Sequence, residues 1–155
     1  MTVPGVTIRE AGVEDASIIL HHRQAMFEDM REGSAAELDR MAAMTLPWLT
    51  ASMANGSYRG WLAVSAGRVV GGGGVLRCSW PASPKDPFLQ RLIVLNVYTE
   101  PEFRGRGIAR RIMTTIIDWA RGQGFASVSL HASDAGRHLY EQLGFVDTNE
   151  MRLRF

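Results

Sequence analysis

Cysteine is almost missing from this chain. Cys78 is the only one among 155 residues, so no intramolecular disulfide and no cysteine-based zinc site can form; its thiol is expected buried or half-buried in a strand. No apolar run approaches the roughly 20 residues that span a bilayer. The opening MTVPGVTIREAG lacks the apolar core of a signal peptide. A cytoplasmic protein that stays off the membrane is the expectation. An excess of one charge is lacking too: 17 Lys and Arg stand against 16 Asp and Glu, a net +1, too little for a global field that attracts nucleic acid. Two phosphate-loop spellings are also absent. No Gly-Lys-Ser/Thr occurs for a P-loop, and after Gly105 and Gly107 the third place of a dinucleotide fingerprint holds Arg110. Four glycines at 71–74 precede no helix; they mark either a strand irregularity or room for a ligand's backbone.

What is present is the composition of an ordinary soluble globule, 46% hydrophobic and 21% charged. There are no repeats, linkers or low-complexity tracts, so residues 1–155 read as one domain. VTIRE alternates as an opening strand. A helix follows, with Glu14 and Asp15 at its start and Ala16, Ile19, Leu20, Met26, Phe27 and Met30 on one face. Ser34 and Glu37 have capping-box spacing for a second helix, expected to break near Pro47. Two strands join as a hairpin around Ala66–Gly67. RLIVLNVYT (91–99) is a buried central strand, and a helix carries Ala109, Ile112, Met113, Ile116, Ile117 and Ala120. ASVSLHA (126–132) is a strand parallel to 91–99 by a right-handed crossover. A short helix then ends near Gly144, and EMRLRF alternates as a last strand. The whole is an α/β fold with a mixed sheet.

Between strand 91–99 and the next helix lies EFRGRGIARRIM, with four arginines inside eight residues. One reading is a basic patch on nucleic acid; it lacks interleaved aromatics. The other is a phosphate cradle. The first amides of a helix have no intrahelical partners and carry the positive end of its dipole, and Gly105 and Gly107 let an anion approach the backbone. In that reading Arg106 touches phosphate or solvent, and Arg110 and Arg111 face water.

These residues resemble the GNAT superfamily of acetyl-CoA-dependent N-acetyltransferases. Its motif Arg/Gln-x-x-Gly-x-Gly/Ala is met by Arg104, Gly107 and Ala109 after VYTEPEF, and a second motif is LYEQLGF at 139–145. The resemblance implies a mixed, mostly antiparallel sheet with a splayed parallel pair, 91–99 and 126–132, flanked by helices. It further implies acetyl-CoA as co-substrate and no metal. The pantetheine arm would lie along Val97, Tyr98 and Thr99, and the pyrophosphate on Arg104, Gly105, Arg106, Gly107, Ile108 and Ala109. Ser133 stands where the family often has a cofactor-side asparagine. Tyr140 matches the family's general acid for the CoA thiolate. An amine, small molecule or peptide, would be the acceptor, with transfer direct in a ternary complex; the alternative is an acyl-CoA-binding module without transferase activity. RLIVLN carries no catalytic glutamate and Gly136 replaces an alanine, which leaves the base open among His131, Glu28, Asp29 and a water on Asn96. The acceptor site would draw on the first helices, whose Met26, Met30, Met41, Met44 and Met53 are read mostly as core. Family members often pair, which leaves a homodimer open with EMRLRF as its edge.

Overall fold

A computed structural model describes residues 4–155. Four strands, β1 (Val6–Glu10), β2 (Tyr58–Ser65), β3 (Arg68–Ser79) and β4 (Gln90–Thr99), form one antiparallel sheet in the order β1-β2-β3-β4. Helices α1 (Ala16–Asp29) and α2 (Ala35–Ala54) lie between β1 and β2, α3 (Ile108–Gly122) follows β4, and α4 (Asp134–Gln142) comes last. β2 and β3 join through Ala66 and Gly67, both at positive φ, as a two-residue hairpin requires.

Alternation along the strands divides the core into two layers. Trp61, Ala63, Val70, Val75, Leu92 and Val94 meet Ile108, Ile112, Met113 and Ile116 of α3. On the other face Tyr58 and Leu62 meet Ala16 and Ile19 of α1 and Leu49 of α2. The capping box of α2 forms as its spacing demands, with Glu37 N donating to Ser34 Oγ at 3.2 Å and Ser34 N to Glu37 Oε2 at 2.7 Å.

Three expectations are corrected. The mixed sheet with a splayed parallel pair does not form: 126–132 touches β4 only at one parallel bridge, Ile93 to Ser129. Val94 N donates to Ser129 O at 2.8 Å, and Ser129 N to Leu92 O at 3.0 Å. A bulge in β4 beyond that bridge gives the reason, since a bulge raises the local twist and turns the strand away from its neighbour. EMRLRF makes no strand; Glu150 and Arg152 bond through their side chains, and its backbone makes no backbone–backbone bond among the described residues. Helix α2 runs through Pro47, because Pro47 and Ala43, whose carbonyl loses its amide partner, are both exposed to water.

Candidate active site

β4 ends at Thr99, and the chain reaches α3 through a loop in which Gly105 and Gly107 adopt φ +73° and +78°. A Cβ at either glycine would meet nothing within 4 Å, so the backbone faces open space. Gly107 is the N-cap of α3 and supplies no side-chain cap. The orphan amides of the first turn therefore face outward, at the positive end of the helix dipole. They border a pocket of about 230 Å³ lined by Thr99, Arg104, Gly105, Gly107, Ala109 and Leu139. Thr99 Oγ1 is buried in that wall with no hydrogen-bond partner among the described residues. An unpaired buried hydroxyl beside orphan amides is a site short of an acceptor-rich ligand.

The arginines have separate jobs. Arg104 donates through Nε to Thr99 O at 2.8 Å and through Nη2 to Asp29 at 2.5 Å, clamping the end of β4 to α1. Arg106 donates to Glu102 O at 3.0 Å and lies over the Phe103 ring. Arg110 is exposed as expected, and reaches Gln142 of α4. Arg111 departs from the solvated reading: it is half-buried and donates to Val6 O at 2.7 Å, tying α3 to β1.

Upstream, β4 carries the bulge. Gly74 pairs with Leu95 and Gly72 with Tyr98, so Asn96 and Val97 together oppose Gly73. Asn96 sits at φ +60°, a conformation asparagine tolerates better than most residues. It is held there from both ends: Arg23 Nη1 donates to its Oδ1 at 2.9 Å, and its Nδ2 donates to Tyr58 Oη at 3.1 Å. Burial pushes the Tyr58 phenol up to about 12, against the pull of the Asn96 bond and Arg23. The extra residue of a bulge escapes the ladder, so backbone groups at Asn96–Val97 fall outside the regular pairing of β3 with β4. Within the apolar run of β4 the lone asparagine was the sequence signal for this distortion.

Tyr140 lies on α4, half-buried, its ring edge-on to Phe145 at 5.9 Å. Burial raises its pKa above the ordinary phenol value, which keeps the proton on the oxygen at neutral pH. Its neighbour Leu139 lines the small pocket, whereas Tyr140 lines a larger cavity of about 920 Å³ together with His131. Of the candidate bases, Asp29 is paired with Arg104 and His131 with Glu150 at 3.0 Å. Glu28 is exposed, and the Asn96 side chain is occupied as above.

Residues 21–145 match the model of the acetyltransferase (GNAT) family. The chain belongs to that family. It is similar along 97% of its length to a GCN5-related N-acetyltransferase from Ralstonia eutropha, with 32% identity, 99% of that chain covered and a TM-score of 0.92. A predicted acetyltransferase of Clostridium acetobutylicum solved with acetyl-CoA shares the fold at 23% identity, with 96% of each chain covered and a TM-score of 0.87. Human N-acetyltransferase 8B is 35% identical over 95 residues, 58% of this chain and 39% of that protein. A probable mouse N-acetyltransferase family 8 member 5 is 35% identical over 115 residues, 71% of this chain and 46% of that protein. The chain thus spans less than half the length of these curated relatives.

Two of the three departures from the GNAT pattern, Ser133 and Gly136, have local reasons. Ser133 caps α4, its Oγ accepting from Gly136 N at 3.2 Å. A Cβ on Gly136 would stand 2.8 Å from Tyr140 Cε2, so the glycine makes room for the ring. The five methionines read as core are all half-buried except Met44, which is exposed at 78%; α2 buries Leu49 and Ser52 instead. No helix among the described residues is long and apolar enough to cross a membrane.

His22 on α1 escaped sequence reading. It is 1% exposed, packed beside Tyr98 and next to Gly72. Burial first, then His21, hold it down at about 4, opposed by Glu100. The unfolded histidine titrates near 6.5, so between these values the unfolded chain binds a proton that the native one refuses. Stability is then full above about pH 6.5 and falls as pH drops toward 4, by about 3 kcal/mol over the window. Urea unfolding at pH 7.5 and 5 is expected to show this slope, and His22→Gln to flatten it; an equal slope in the variant would refute the assignment.

Proposed function

We propose that residues 1–155 act as one N-acetyltransferase domain that moves an acetyl group from acetyl-CoA to an amine. The observation that carries the reading is the cradle at the end of β4, where uncapped α3 amides, two open glycines and the orphaned Thr99 hydroxyl converge. Acetyl-CoA supplies the activated acetyl thioester. Main-chain groups of Val97, Tyr98 and Thr99 line up the pantetheine arm, and amides from Arg104 through Ala109, including Gly105, Arg106, Gly107 and Ile108, receive the pyrophosphate. Ser133 stands on the cofactor side of α4. The bulge at Asn96–Val97 aims a backbone donor at the carbonyl oxygen, where negative charge gathers as the amine attacks. Tyr140, protonated at neutral pH, gives its proton to sulfur as the C–S bond breaks; the attacking nitrogen loses its extra proton to solvent, which reprotonates the phenolate. The acceptor, a small molecule or peptide bearing a neutral amine, binds at a site that draws on the first two helices. We further propose that the protein works as a homodimer.

Release of CoA thiol from acetyl-CoA across an amine panel tests the reading, with the Cys78 signal subtracted in amine-free controls. Turnover on at least one amine is expected; tight acetyl-CoA binding without release on any would favour a binding module. Gly107→Val probes the cradle separately. A β-branched residue resists φ +78°, and restoring the binding shape costs about 1–2 kcal/mol. CoA affinity measured by calorimetry is therefore expected to fall about tenfold or more; unchanged affinity would place the pyrophosphate elsewhere.

A further inference from the structure

Arg23 is a half-buried cation without a counter-ion. Arg104 has Asp29 and Arg68 has Glu102, but no carboxylate pairs with Arg23 among the described residues. The helix positions from which an acid could reach it, Ile19, Leu20, Met26 and Phe27, are all apolar. Burial lowers its pKa below the ordinary arginine value, and only Tyr58 opposes that. A charge removed from water ordinarily has a partner.

The guanidinium is nonetheless held in place. Nη1 donates to Asn96 Oδ1 at 2.9 Å, and the group lies over the Phe27 ring at 5.0 Å from its centre. Nε and Nη2 make no hydrogen bond among the described residues, and neither is a buried orphan, so both reach open space. A guanidinium edge with two free donors grips a carboxylate through two parallel bonds. Asn96, which positions it, belongs to the bulge opposite Gly73.

We propose that Arg23 selects the acceptor by binding the carboxylate of an α-amino acid, whose amino group then takes the acetyl. This rests on the acetyl-transfer reading, since it names the acceptor of that same site. An α-amino acid carries its carboxylate and its amine on one carbon. A carboxylate fixed on Arg23 therefore keeps the amine beside the bulge that supplies the backbone donor. The amine nitrogen bonds to the thioester carbon and the C–S bond breaks. CoA leaves as the thiol with the Tyr140 proton, and the nitrogen gives its surplus proton to solvent. Arg23 exchanges no proton and supplies the counter-charge. A polyamine brings a second cation toward the same guanidinium and is disfavoured. A peptide N-terminus has an amide in place of the carboxylate and leaves the two donors unpaired.

The test compares each common α-amino acid with its own amide and its decarboxylated amine. Wild-type kcat/KM on at least one acid is expected to exceed that on its two analogues by about ten- to a hundredfold, the effect of a charged hydrogen-bonded pair. Arg23→Gln is expected to erase the preference by slowing the acid alone, and Arg23→Lys to restore it in part. A guanidinium that only held the bulge would slow acid and analogues equally, and that result overturns the proposal. So does a wild type that takes the analogues as well as the acids, a comparison that decides even if Arg23→Gln does not fold. Calorimetric titration of the same compounds in the presence of CoA reads the site without turnover. Acid binding that Arg23→Gln abolishes, with no amine acetylated, sustains the carboxylate site and removes the transfer reading. Turnover confined to amines without a carboxylate does the reverse, and neither binding nor turnover removes both.

Discussion

Tyr140→Phe is expected to lower turnover about a hundred- to ten-thousandfold, the range a positioned general acid contributes, while CoA affinity changes little. The substitution removes one oxygen and leaves the ring where it is, edge-on to Phe145 and seated over Gly136. Burial raises the Tyr140 pKa, so the proton stays on the oxygen across neutral pH and the wild-type rate is not expected to fall by loss of this acid as pH rises from 7 to 9. Steady-state turnover and calorimetric CoA binding on the same preparation separate the effects. A variant as active as the wild type would remove Tyr140 from the chemistry; a large loss of CoA affinity would make it a binding residue.

Gly74→Ala is expected to be the most destabilising single methyl in the sheet. A Cβ there would lie 2.2 Å from Tyr58 Oη and 2.8 Å from Arg59 O. The carbonyl belongs to a paired strand and the ring is buried, so neither can yield. Moving the ring breaks its bond to Asn96, which in turn loosens Arg23 and the bulge. Overpacking plus a broken buried bond together cost about 2–5 kcal/mol, a large share of the roughly 5–15 kcal/mol that holds a domain folded. Gly73→Ala meets the Cγ2 methyls of Ile112 at 2.8 Å and Val97 at 3.2 Å rather than a backbone carbonyl and a hydrogen-bonded ring, and is expected to cost less. Urea unfolding of the two variants measures the order; Gly74→Ala within about 1 kcal/mol of wild type, near the ordinary mutational effect, would show the contact is not rigid. The glycine run is therefore close packing between strand, Tyr58 and α3 rather than substrate room.

Much of the frame was legible in the residues alone because its causes are local. The α2 capping box depends on residues three apart, the hairpin on Ala66–Gly67, and the amphipathic stripe of α3 on its own period. The cradle was legible for the same reason: two glycines before a helix start set backbone direction without help from the rest of the chain. The family motifs at 104–109 and 139–145 sit on these local features. Other features depend on partners distant in sequence. Asn96 takes its strained conformation from Arg23 and Tyr58, 73 and 38 residues away. His22 becomes a buried neutral histidine only when α1 lies on β4. The parallel pair fails because the bulge redirects β4 after its single contact with Ser129, and Pro47 is tolerated because its face of α2 meets water. The alternation of EMRLRF was plain in one dimension, but its outward apolar side was decided only by the fold: Glu150 finds His131 on its own chain, and that contact turns Met151, Leu153 and Phe155 away.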